Sequence, residues 1–381
     1  MVNIKDFIAE LRTKNTRITY RAGVYAFLDW KYGRQRAARK ATPKEERKYE
    51  TLAARYLSEE ENYVEDLRKY AASMQEVPPK TASIRMTGIK EYLFANDAEF
   101  SQRDIRQIKS RMPRGGARTI ERDLDHAALQ VLLTHADVRG RALILMLVSS
   151  GMRIGELLQL RLTDINLDAV PAEVTLRQEI TKTRQHRITF ISREAVAAVR
   201  EWLKVRSSYL ASAQNRNAGF VAKGIGSAKP IEDPRLFPFA AHGAQAMWRT
   251  ILKNADLASV DESTGRHQYH IHQFRKFFRS QMALTCPVDM VEALMGHEGY
   301  LTQAYRRYTR EQLAEYYQKS EGMVTLQIPS KEISRVETEV KKEMQDQQAV
   351  ISKLLIRVDE LESEGRILKK MIAVSEGKER V

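Results

Sequence analysis

The chain has 381 residues, 43% hydrophobic and 29% charged, with a net charge of +14. This apolar content excludes a disordered chain, and 10 Pro with 18 Gly exclude a collagen-like or low-complexity one. A single cysteine, Cys286, excludes an internal disulfide and a cysteine-rich zinc site. The length predicts about two to three domains. Residues 1–10 lack the apolar core of a signal peptide. The most apolar run, 142–148, is far shorter than the ~20 residues that span a bilayer. These features predict a soluble cytoplasmic protein with no membrane partner, and the cationic surplus predicts a polyanionic one, nucleic acid first.

The first 115 residues read as helices and carry 24 basic side chains against 16 acidic ones. Tyr20, Val24, Phe27 and Leu28 recur at helical spacing, and Gly33 ends that helix. Lys31, Arg34, Arg36, Arg39 and Lys40 then crowd into ten residues, a candidate phosphate-binding cluster. Further helices are predicted over 43–74, 81–94 and 101–109, the last opened by a Ser101–Asp104 capping box. The Pro, Gly and charge of 111–116 mark a hinge and a domain boundary.

The middle of the chain mixes types. Helices are predicted over 125–134, 141–149, 154–160 and 192–209. The β-branched runs 174–176 and 188–191 read as a hairpin. Residues 211–240, rich in Ala, Gly, Asn and Pro, read as a long loop. Helices resume from Ala244. In the last segment charge is balanced, 11 against 11 over 326–381. There Ile333, Val340, Met344, Ile351, Leu354, Val358, Leu361, Leu368 and Ile372 alternate as a and d positions, the pattern of a coiled coil. The domains are therefore 1–115, 117–325 and 330–381. The fold class is mostly α with a small antiparallel β-sheet in the middle domain (α+β).

Five local patterns carry chemistry. Arg153 follows a Gly-containing turn at a helix start, a place suited to holding phosphate. His272 and Arg275 stand three apart, on one helical face. His297 follows Gly296, and Tyr305 and Tyr308 flank two arginines. Lys182 lies between the predicted strands. This set has cations, imidazoles and phenols but no carboxylate cluster. It is poor for two-metal hydrolysis and suits phosphoryl transfer by positioning and charge neutralisation, with a phenol as nucleophile. A zinc site at His267, His270 and His272 lacks a fourth ligand at workable spacing.

Across 117–325 the sequence resembles the tyrosine recombinases of the phage-integrase group. Gly151-Met152-Arg153-Ile154-Gly155-Glu156-Leu157 resembles their first arginine box, His272-Gln273-Phe274-Arg275-Lys276 their His-x-x-Arg box, and Leu294-Met295-Gly296-His297 their Leu-x-Gly-His box. Residues 1–115 loosely resemble the family's core-type DNA-binding domain. Leu301-Thr302-Gln303-Ala304-Tyr305 resembles the flank of the family's nucleophile with one residue deleted, and Tyr308 is the rival register.

The resemblance implies a site-specific DNA recombinase of a prokaryotic mobile element, nucleoid-associated, needing neither metal nor nucleotide cofactor. Tyr305 attacks the scissile phosphate, Arg153 and Arg275 clamp its oxygens, and Lys182 protonates the leaving oxygen. His272 handles the tyrosine proton and His297 hydrogen-bonds the phosphate, while Glu156 orients the site or caps its helix. Double-stranded DNA is the implied partner, bound by a homo-oligomer, a tetramer on DNA, with the coiled coil assisting assembly or recruiting an accessory protein. A type IB topoisomerase shares this chemistry but rejoins the same strand. A DNA-binding regulator without catalysis is the reading from another class.

Overall fold

A computed structural model describes residues 1–326 apart from 39, 60, 61, 117, 223, 225–231 and 297–307. The described chain divides into two units, Met1–Ile120 with Asp261–Arg266, and Glu121–Val260 with the residues from His267 onward. The predicted coiled coil lies outside the described residues. Among them, no helix is long and apolar enough to cross a membrane.

The first unit holds α1 (Ile4–Glu10), α2 (Lys14–Tyr32), α3 (Pro43–Glu59), α4 (Tyr63–Ser73), α5 (Pro79–Phe94) and α6 (Gln102–Ser110). Helix α2 ends at Gly33 with φ 84°, and Ser101 and Asp104 form the capping box of α6. The predicted helix over 43–74 is two helices, because the Asn62 side chain accepts the Glu65 N–H at 3.0 Å and starts a new one. Aromatic rings fill the core: Phe27 meets Tyr56 and Tyr70 edge-on at 5.0 and 5.3 Å between centroids. Each such buried ring contributes roughly 1.5–3 kcal/mol through lost apolar hydration. Helices α2 and α5 touch backbone to backbone, since a β-carbon on Gly23 would lie 2.9 Å from the Arg85 carbonyl oxygen.

The second unit runs α7 (His126–Thr134), α8 (Val138–Ser150), α9 (Ile154–Leu157), β1 (Ile165–Asn166), β2 (Ala172–Leu176), β3 (Arg187–Ile191), α10 (Arg193–Ala222), α11 (Ala241–Asn254), α12 (Gln273–Met282), α13 (Val288–Met295) and α14 (Arg310–Ser320). The strands form one antiparallel sheet in the order β1-β2-β3, with Val174 opposite both Ile165 and Thr189. The mostly helical class with a small antiparallel sheet is thus the observed one. Helix α8 is the central element: every residue from Ala142 to Ser150 is buried, packed by α10, α12 and β3. Its apolar run is therefore a core helix hydrophobic on all faces.

Two expectations are corrected here. The loop predicted over 211–240 begins as helix, because α10 continues to Ala222. Ala211, Ala213 and Ala218 are good helix formers and carry the helix through the first part of that stretch. The helix predicted over 154–160 is a single turn. The chain leaves it to pair with 234–236: Leu236 N–H donates to Leu160 O at 2.8 Å, and Leu162 N–H to Pro234 O at 2.9 Å.

Candidate active site

Two helices that frame the site end in left-handed glycines. Helix α8 stops at Gly151, φ +61°, and α13 at Gly296, φ +65°. In both, the glycine also permits close approach. A β-carbon on residue 151 would strike the Phe278 ring, and one on residue 296 would lie 2.7 Å from Arg187 Cδ. The positive φ alone favours glycine, and the crowding adds to that preference.

After Gly151 the chain is extended at Arg153 and turns once through α9. Glu156, 2% exposed, folds back on that turn. Its carboxylate accepts the Arg153 backbone N–H at 2.9 Å and Arg153 Nη1 at 3.0 Å. From β3, Arg187 donates Nη2 and Nη1 to the same carboxylate at 2.7 and 3.3 Å. Burial pushes the Glu156 pKa up, but Arg187 and then Arg153 outweigh it and hold the group below the usual carboxylate value. The Arg153 N–H is therefore capped by Glu156.

Arg275 projects from the first turn of α12 and is 4% exposed. Its guanidinium donates to the Gly151 carbonyl and, at 2.7 Å, to the Met295 carbonyl. Two backbone carbonyls, rather than a carboxylate, thus hold a buried cation. Burial and then the charge of Arg153 bring its pKa down to about 10. His272 caps α12 from an exposed position. Partial desolvation, then Arg275, His270, Lys276 and Arg153, put its pKa below the ordinary histidine value. Beside it, His270 Nε2 lies 3.0 Å from Glu121, which also pairs with Lys276.

Lys182 stands exposed in the turn between β2 and β3. The Thr181 hydroxyl braces that turn, within 3.1 and 2.9 Å of the Gln178 and Gln185 carbonyls. The structure therefore brings Arg153, His272 and Arg275 into one electrostatic group and leaves Lys182 outside its hydrogen bonds. His297 and Tyr305 lie outside the described residues. Tyr308 packs partly buried against the core, immediately before Thr309, the N-cap of α14. Among the described residues, no group of three or more His, Cys, Asp or Glu side chains could hold a metal.

Two residues were missed from the sequence. Arg187 had no local signal beyond a cation at the start of a β-branched run. Glu121 sits in the segment read only as the start of a domain. In the first unit, the candidate basic cluster is only partly free. Lys31 pairs with Asp66, and Arg36 lies 3.4 Å from Asp29. Arg34 and Lys40 are exposed, and Arg39 lies outside the described residues. Arg36 and Lys40 line a cavity of about 730 Å³ together with Arg21 and Arg85, which the sequence reading had not grouped with them.

Comparison with known proteins places this geometry. The model of the phage integrase family matches residues 116–315. Tyrosine recombinase XerC of Haemophilus influenzae is 26% identical over 256 residues, covering 65% of this chain and 76% of that protein. XerC of Alcanivorax borkumensis is 27% identical over 264 residues, 67% of this chain and 78% of its own. Two solved structures share the fold. The Tn1549 transposon integrase in complex with transposon right end DNA has a TM-score of 0.51 at 15% identity, covering 84% of this chain and 99% of its own. A lambda integrase dimer bound to a core site has a TM-score of 0.50 at 12% identity, covering 81% and 96%.

Proposed function

The chain belongs to the phage integrase family, and from that premise we propose that it is a tyrosine-type site-specific recombinase, cleaving and rejoining double-stranded DNA through a 3′-phosphotyrosyl intermediate. The observation that carries this reading is Arg275, a buried guanidinium held by two carbonyls with Arg153 beside it. Three guanidinium groups, Arg153, Arg187 and Arg275, around one buried carboxylate, Glu156, leave a net positive site that an anion with several oxygens completes.

In this reading Arg153 and Arg275 bind the non-bridging oxygens of the scissile phosphate, where charge grows in the transition state. The Tyr305 oxygen forms the new bond to phosphorus, and the bond to the 5′-oxygen breaks. His272, whose pKa is lowered by partial burial and then by the surrounding cations, takes the phenol proton. Lys182 gives a proton to the leaving 5′-oxygen, and His297 hydrogen-bonds the phosphate. Because the ester conserves the bond energy, the reverse attack by a 5′-hydroxyl reseals DNA without a nucleotide cofactor.

Tyr308 supports Tyr305 as the nucleophile by doing something else. It precedes the N-cap Thr309, and Leu313 stands at the fourth helical position, the two places of a hydrophobic staple. Both pack on the same core. The exposed Arg34 and Lys40 contribute salt-dependent phosphate contacts. Exchange between two duplexes calls for four copies, and the heptads of 330–381 offer a surface for that assembly or for an accessory protein. The protein acts where cellular DNA is.

The test incubates the full chain with supercoiled plasmid carrying the DNA that flanks its gene, in EDTA without ATP, and quenches with SDS. Wild type yields protein-linked DNA, Tyr305→Phe yields none, and Tyr308→Phe retains it. Loss in Tyr308→Phe alone moves the nucleophile to Tyr308. Silence of wild type overturns the catalytic reading.

A further inference from the structure

Arg187 belongs to none of the three sequence boxes, yet it touches residues of two of them and lies five positions from Lys182. Its side chain is 10% exposed. The guanidinium grips both oxygens of Glu156, and the Nε–H donates to the Leu294 carbonyl at 3.3 Å. The stem lies across Gly296, where a β-carbon would sit 2.7 Å from Arg187 Cδ and push it aside. Two residues on, β3 is pinned to the close of α8, because the Thr189 hydroxyl donates to the Ser150 carbonyl at 3.0 Å.

We propose that Arg187 is a positioning residue of this site. Through Glu156 it fixes Arg153, and through Leu294 and Gly296 it fixes the end of α13 that leads to His297. It also anchors the strand that follows the Lys182 turn. The inference rests on the recombinase reading for what is being positioned.

The chemistry asks for arginine. Glu156 accepts four hydrogen bonds, two from Arg153 and two from Arg187, which saturate a carboxylate that water scarcely reaches. A planar fork serves two carboxylate oxygens and still presents Nε–H to a carbonyl; a lysine ammonium supplies the charge without that geometry. The charged groups facing Glu156 are Arg153, Arg187 and, more distantly, Arg275. Removing Arg187 leaves Arg153 and the more distant Arg275 to keep Glu156 ionised, so the carboxyl protonates at higher pH. Protonated Glu156 then holds Arg153 with a weaker, single-acceptor contact.

The test uses the full chain as wild type, Arg187→Lys, Arg187→Met, Glu156→Gln and the Arg187→Met/Glu156→Gln pair. The rate of covalent adduct on the flanking-DNA plasmid is followed against pH, with thermal melting as a check on folding. Arg187→Met lowers the rate about a hundredfold, the scale of a small misplacement of reacting groups. It also moves the acid limb of the profile to higher pH, which a purely structural residue would not do. Arg187→Lys returns the limb to its wild-type position and part of the rate, and this arm decides if Arg187→Met does not fold. Glu156→Gln added to Arg187→Met costs little more, since both act on Arg153. Losses that multiply, or an unmoved acid limb, overturn the proposal.

A second readout needs no cleavage. Hydrogen exchange at the Arg153 guanidinium, followed by ¹⁵N NMR, speeds up in Arg187→Met. If wild type forms no adduct, the recombinase reading falls and this exchange alone decides: an unchanged rate shows that Arg187 does not hold Arg153.

Discussion

The ring of Phe278 occupies the space that a β-carbon on Gly151 would need. Phe278 and Arg275 lie three apart on α12, and the Gly151 carbonyl accepts a hydrogen bond from the Arg275 guanidinium. One face of α12 is therefore fitted to this glycine twice, by apolar contact and by a charged hydrogen bond. Gly151→Ala must displace Phe278 or α8, and with either movement it shifts Arg275. Overpacking costs about 1–3 kcal/mol, and the left-handed backbone at φ +61° adds about 1–2 kcal/mol for a residue with a β-carbon. Thermal melting should show that loss, and adduct formation should fall further than Phe278→Leu makes it fall. Pairing Gly151→Ala with Phe278→Ala returns part of the activity. A Gly151→Ala protein as stable and active as wild type would refute the fit.

His272 carries the pH dependence of the site. Desolvation comes first among the causes of its low pKa, followed by the charges of Arg275, Lys276 and Arg153 together with His270. Its folded pKa lies below the unfolded value of about 6.5. Between the two the unfolded chain binds more protons, so stability rises with pH through that window and is given up as pH falls. Above it, the neutral ring is the form that accepts a phenol proton. NMR titration of the ring in the free protein should give a midpoint below 6.5. A DNA duplex carrying the cleavage site should raise that midpoint, because a phosphate offsets Arg275 and Arg153. A midpoint at or above 6.5 without DNA would remove the electrostatic basis for His272 as proton acceptor.

What the sequence disclosed and what it hid follow from how far apart the partners lie. Arg153 and Glu156, or His272 and Arg275, are three residues apart, and spacing alone places each pair on one turn. The positive-φ glycines that end helices, Gly33, Gly151 and Gly296, are equally local. Arg187 was illegible because its partners are at 156 and 294–296, which only the folded chain brings beside β3. The same reason undid part of the basic cluster. Lys31 and Arg36 read as surface cations until Asp66 and Asp29 closed on them. Residues 211–222 misled through composition, since Asn215, Asn217 and Gly219 suggest a loop while the alanines around them extend the helix.

Lys182 separates chemistry from architecture. It is exposed in the turn after β2, and the hydrogen bonds that hold this turn belong to Thr181 rather than to the lysine. Lys182→Ala should leave stability within about 0.5 kcal/mol of wild type, as surface substitutions do. If Lys182 is the general acid, the same change slows cleavage by about 10²–10⁴. A substrate with sulfur in place of the bridging 5′-oxygen tests the role directly, because a thiolate leaves without a proton. On that substrate Lys182→Ala should cleave at nearly the wild-type rate, while Arg275→Ala should stay slow, since its loss falls on the non-bridging oxygens. Equal rescue of both variants would deny the division of labour between lysine and arginine. No rescue of Lys182→Ala would return the proton to another donor.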